Sequence, residues 1–123
     1  MAKILVAEED VAIREILARL LQREAHEALF VGDGRTVVEM ALAELPAVIL
    51  MALNLPEMDG WEATRRIKGH HKTAAIPVIA LTDHALLDDV RKAMACGCDH
   101  LETKPLVYPR LMKRIRNLVD RKS

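Results

Sequence analysis

The chain has 123 residues, equal numbers of basic and acidic side chains (18 each) and a formal net charge of zero. Zero charge and only three aromatic residues, Phe30, Trp61 and Tyr108, exclude the basic face or base-stacking platform that nucleic-acid binding needs. No apolar run approaches membrane-spanning length, and "MAKILVAEED" meets its acids too early for a signal peptide. A length of 123 residues points to one domain over 1–123, and the apolar content of 51% is ordinary for a globular core. The protein is expected to be cytoplasmic, with no nucleic-acid or membrane partner.

"KILVA" (3–7) is a short apolar run ended by acids, and it predicts a buried strand. Asp10 can cap the next helix, because its carboxylate accepts from free N–H groups of the first turn. Ile13, Ile16, Leu17, Leu20 and Leu21 follow at helical spacing. "EALFV" (27–31) predicts a second strand, closed by "GDG". A second helix (35–45) is stopped by Pro46. "AVILMA" (47–52) predicts the most buried strand, without one polar side chain. "GWEATRRIKGHH" (60–71) opens a third helix, and "IPVIALT" (76–82) is a fourth strand. The fourth helix (85–97) ends at a glycine cap, "DHLET" (99–103) is a short fifth strand, and the fifth helix covers 109–121.

Apolar strands alternating with helices imply a parallel sheet covered on both faces. Right-handed crossovers then leave a doubly wound α/β three-layer sandwich, five βα units with the flavodoxin-like strand order 2-1-3-4-5. Such folds bind ligands at the carboxyl ends of their strands. Those ends carry Glu8, Glu9 and Asp10, then Ala52 to Asn54, Thr82 with Asp83, and Lys104 with Pro105. A carboxylate pair, a hydroxyl and an ammonium suit a hard cation and a phosphoryl group. Each of these residues alone reads as solvated loop; their common placement at strand ends gives them weight. Ala52 is the exception, because it has no side-chain oxygen.

"KILVAEED", "NLPEMDGWEATRRIK", "IPVIALT" and "CGCD" leading to "TKP" together resemble the receiver domain of two-component response regulators, especially its single-domain, chemotaxis-type members. The resemblance spans essentially the whole chain. It implies that Glu8 and Glu9 stand at the acidic pair that binds Mg²⁺, with the backbone carbonyl of Asn54 completing that metal site. It places the switch hydroxyl on Thr82, the phosphate-pairing lysine on Lys104 and a cis bond before Pro105. The phosphoacceptor aspartate lies four residues before the loop proline, Pro56, and so falls on Ala52. Other departures accompany it. Glu9 replaces the usual Asp, Asp83 replaces a small residue beside the phosphate, and Leu101 replaces the switch aromatic.

Without the acceptor carboxylate the metal site loses a ligand and a charge, so no bound cofactor is expected, Mg²⁺ being the family's. Lys104 loses its usual partner, and its ammonium is expected to turn to Glu8 or Glu9. The favoured reading is a non-enzymatic pseudo-receiver acting through protein contacts. The resemblance implies a histidine kinase or phosphotransfer protein and a downstream target as partners, docking on the face of the fourth helix, fifth strand and fifth helix. One alternative is a phosphoaccepting regulator carrying an engineered Asp-to-Ala change; several departures beyond position 52 favour the natural, degenerate reading. The other is an unrelated flavodoxin-like enzyme. That alternative needs a phosphate-cradling loop after the first strand, and "AEEDVA" would repel phosphate.

The remaining candidates are weaker. Ser123 is the only serine, at the chain end, which leaves no hydrolase triad. Cys96 and Cys98 are two apart, a spacing of neither a redox CxxC pair nor a zinc knuckle, and read as reduced thiols around a glycine turn. His70 and His71 read as solvent-exposed, and His84 has no partner at ligand spacing. Arg110, Lys113, Arg114, Arg116, Arg121 and Lys122 read first as the solvated face of the last helix.

Overall fold

A computed structural model describes residues 2–83 and 87–121. His84, Ser123 and the first residues of the expected 85–97 helix lie outside the described residues. The elements are β1 (Lys3–Ala7), α1 (Val11–Arg23), β2 (Glu27–Val31), α2 (Gly34–Glu44), β3 (Val48–Ala52), α3 (Gly60–Gly69), β4 (Val78–Thr82), α4 (Leu87–Cys96), β5 (His100–Thr103) and α5 (Tyr108–Asp120). The strands form one parallel sheet in the order β2-β1-β3-β4-β5.

Alternation along each strand sends neighbouring side chains to opposite faces and builds two cores. Ile4, Val6, Leu50, Ile79 and Leu81 pack with Leu17 and Leu21 of α1 and with Leu111, Ile115 and Leu118 of α5. Leu5, Ala7, Ile49, Met51, Val78 and Ala80 pack with Val37 and Ala41 of α2, Ala63 and Ile67 of α3, and Ala93 and Cys96 of α4. Each fully buried Leu or Ile contributes about 1.5–3 kcal/mol by leaving water. Every residue of β3 and β4 is buried, so these central strands hold their carboxyl ends rigidly.

The helices start where short carboxylates accept first-turn N–H groups. Asp10 accepts from Ile13, Asp33 from Thr36 and Asp59 from Glu62, at 3.1, 2.7 and 2.9 Å. Element ends differ from the sequence expectation by a residue or two, for local reasons. β4 starts at Val78 because Pro77 has no N–H for the ladder. β5 starts at His100, because Asp99 turns its carboxylate onto the Val78 N–H at 2.8 Å. α3 ends at Gly69 rather than at residue 71. α2 ends at Glu44, and its cap, Leu45, takes a left-handed φ of 46° ahead of Pro46.

One expectation is corrected here. Arg110, Arg114 and Arg116 are not a merely solvated face. Arg110 and Arg114 both donate to buried Glu102 at 3.0–3.1 Å, clamping β5 to α5, and Arg116 pairs with Glu24 at 2.9 Å. Position 102 is an inward position of a strand, so a carboxylate there needs such partners.

Candidate functional site

Parallel strands bring their carboxyl ends to one edge, and the backbone fixes each end there. Glu8 N–H donates to Val31 O at 3.1 Å, Leu53 N–H to Leu81 O at 3.1 Å and Lys104 N–H to Thr82 O at 2.7 Å. Gly60 N–H donates to Leu53 O at 3.0 Å, folding the loop after β3 back over its end. Only glycine fits at 60, because a Cβ there would overlap the Ala52 carbonyl.

The edge opens into an acidic cleft of about 580 Å³, bordered by Glu8, Glu9, Asp10, Asn54, Asp83 and Lys104. A narrower recess of about 190 Å³ continues past Thr82 and Lys104 toward Trp61 and Asp89. Of the residues singled out from the sequence at the ends of β1, β4 and β5, Glu8, Glu9, Asp10, Asp83 and Lys104 line the cleft with Asn54 from the loop, Thr82 lines the recess, and Pro105 lines neither. Glu9, Asn54 and Asp83 are exposed, whereas Glu8, Ala52 and Thr82 are buried. Leu101 does not line either space; it packs partly buried against the core on the α4 side. The Lys104–Pro105 bond is cis.

Glu8 is 3% exposed and organises the site. Its Oε2 accepts from the Asp10 N–H at 3.0 Å, and its Oε1 meets the Lys104 ammonium at 2.9 Å. That ion pair is the one expected from the sequence. Oε1 has no hydrogen bond in ideal geometry among the described residues, so charge attraction to Lys104 is what compensates its burial. Ala52 ends β3 at the same edge, one residue beyond the Ala7–Met51 register pair that precedes Glu8, is 2% exposed, and adds only a methyl and its backbone.

Sequence reasoning missed two neighbours. Tyr108, at the start of α5, has its hydroxyl held above the usual value, first by burial and then by Asp10 and Glu8. Trp61 lines the recess one residue after the loop glycine. The signal for Trp61 was its place in the first turn after that loop; for Tyr108, closeness to the acids exists only in three dimensions.

The family model of the response regulator receiver domain matches residues 4–116. The chain belongs to this family. The receiver domain is 32% identical to "Probable histidine kinase 2" of Oryza sativa subsp. indica over 98% of its own length, but it spans only 13% of that relative. It is 27% identical to the polar-differentiation response regulator DivK of Brucella anthropi, with 93% of each chain covered. Its fold superposes on the receiver domain of a sensor histidine kinase from Pseudomonas aeruginosa PAO1 with a TM-score of 0.89 at 27% identity, covering 97% and 98% of the two chains. The signal receiver domain of a histidine kinase from Syntrophus aciditrophicus gives 0.90 at 30% identity, covering 98% and 91%. The chain is thus a receiver domain of two-component signalling.

The Pseudomonas domain is described with a magnesium ion coordinated in its active-site cleft. The donors of this receiver domain do not fit such an ion. Mg²⁺ wants near-octahedral oxygen ligands. Glu8 has one oxygen on a backbone N–H and the other against an ammonium, and Ala52 supplies no side-chain oxygen. Among the described residues no three His, Cys, Asp or Glu side chains come together as a ligand set.

Proposed function

We propose that this receiver domain is a binding module of two-component signalling that accepts no phosphate at the end of β3. The observation that carries the reading is Ala52, the buried last residue of that strand, with no side-chain oxygen at the sheet edge where Glu8 and Lys104 pair at 2.9 Å. In the family the acceptor aspartate lies four residues before the loop proline, here Pro56, which makes Ala52 its counterpart. A methyl cannot attack a phosphoryl donor. Lys104, the residue that would neutralise a bound phosphoryl group, is engaged by Glu8 instead. Asp83 sets a further negative charge at the cleft mouth. The module is non-catalytic on this reading.

Its output is contact with a histidine kinase or phosphotransfer protein and a downstream target, through the face of α4, β5 and α5. The support is exposed apolar surface on those elements. Leu87 and Met94 stand two turns apart on α4, 64% and 52% exposed, and Val107 before α5 is 47% exposed. Leu101 has no ring to swing between buried and exposed positions, so this face lacks the aromatic switch that the family resemblance implies.

A second reading is favoured by Thr82 and Lys104, which line the recess together as a working acceptor would need. On it, Ala52 alone disables a phosphoaccepting regulator. Intact mass after incubation with acetyl phosphate and Mg²⁺ separates the two. The proposed function requires that the protein gain no phosphate. If Ala52→Asp then gains one, the rest of the site is competent and the second reading wins; if it does not, Glu9 and Asp83 disable the site independently.

A further inference from the structure

We propose that Cys96 and Cys98 form a reversible intramolecular disulfide, which makes the joint between α4 and β5 a site of oxidative modification. Cys96 is the last residue of α4, and the two sulfurs lie 3.7 Å apart, in contact. The turn brings them together. Gly97 takes a φ of +101°, Gly97 N–H donates to Met94 O at 3.2 Å, and Cys98 N–H donates to Ala93 O at 3.0 Å. A side chain at 97 would also meet the stem of Lys68, so glycine and the resulting approach of the two thiols belong together.

The chain has two cysteines only, so an activated sulfur on one has the other as its single intramolecular thiol partner. Closing the bond shortens the contact by about 1.7 Å, to the ordinary S–S length of about 2.05 Å. That movement falls on a glycine, the residue with the freest backbone. Both thiols are buried, and burial together with Cys96 pushes the Cys98 thiol up to about 12. Reaction therefore goes through opening of the last turn of α4. This helix is lightly anchored: of its ten residues only Ala93 and Cys96 are buried.

The oxidant class is a low-molecular-weight disulfide. One cysteine loses its proton and its sulfur attacks the disulfide; a mixed S–S bond forms, the original S–S bond breaks, and the leaving thiolate takes up a proton. The second cysteine loses its proton and attacks the mixed disulfide, releasing the second small thiol. Two protein thiols and one disulfide give one protein disulfide and two small thiols, the protein sulfurs losing two electrons. The closed ring ties the end of α4 to the start of β5, the strand that carries Leu101.

The test incubates the full chain with oxidised glutathione and reads intact mass and the peptide bearing both cysteines. The expected result is a mass lower by two hydrogens, restored by reductant, while Cys96→Ser and Cys98→Ser each retain one glutathione adduct. Should the serine variants fail to fold, the unmodified chain still decides. A stable glutathione adduct on it overturns the proposal. So does a folded chain that stays reduced while the urea-unfolded chain is oxidised, because the thiols are then only packing groups.

Discussion

Replacing Lys104 by Met removes the ammonium and leaves the Glu8 carboxylate buried at 3% exposure. At 2.9 Å the pair attracts by about 6 kcal/mol at an effective dielectric of 20, before the desolvation of both ions is subtracted. Removing one member of a buried pair costs about 3–5 kcal/mol, because the other charge stays behind. With a urea slope of about 2 kcal/mol/M, the midpoint of Lys104→Met should fall by about 1.5–2.5 M. Trp61, the only tryptophan and a lining residue of the recess, reports the transition by fluorescence. Glu8→Gln keeps an acceptor for the Asp10 N–H and removes the charge, so adding it to Lys104→Met should recover much of the loss. The cycle should show a coupling of about 2 kcal/mol or more. A coupling below about 0.5 kcal/mol, the level of an exposed surface pair, would refute the idea that this ion pair compensates the burial of Glu8.

Leu45→Gly relieves a left-handed backbone at an exposed cap and should raise the melting temperature by about 2 °C, the strain relieved slightly exceeding the entropy glycine adds to the unfolded chain. Gly60→Ala forces a methyl into the Ala52 carbonyl and should cost about 2 kcal/mol or more in urea unfolding; an unchanged midpoint would mean the loop shifts freely. His100 is held below its usual value, first by burial and then by Arg114, whose guanidinium lies 2.6 Å from Nδ1. A depressed histidine favours the neutral form when folded, so its contribution is present above about 6.5 and is lost as pH falls through the lowered folded value. His100→Gln should flatten the fall in stability just below that pH; an identical pH profile for the two chains would count against the assignment.

The strands were legible because they are short, mostly apolar runs, almost unbroken in β1, β3 and β4, which are buried on both faces. β1 and β2 run over the residues their apolar runs indicated, and β3 differs by one residue. Helix starts were legible where a short carboxylate announces them, as at Asp10. The strand-end rule gathered Glu8, Thr82 and Lys104 from the sequence alone. What escaped was pairing between residues far apart in the chain. Arg110 and Arg114 look like a charged helix face until the inward position of Glu102 is known, and that position depends on the register of a four-residue strand. Lys68 is similar. Its ammonium reaches Ile76 O at 2.7 Å and Asp99 at 2.9 Å, joining α3 to the strand entrances, and nothing in "RRIKGHH" marks it apart from its neighbours. The left-handed cap at Leu45 carries no glycine or asparagine to advertise it.

The central claim is that no phosphate-type switch operates at the end of β3. It is tested most directly by amide spectra of the ¹⁵N-labelled chain titrated with beryllofluoride, an acyl-phosphate mimic, and Mg²⁺. The account predicts that the signals of Ala52, Thr82, Leu101 and Lys104 stay in place throughout. Saturable shifts at these residues would contradict it.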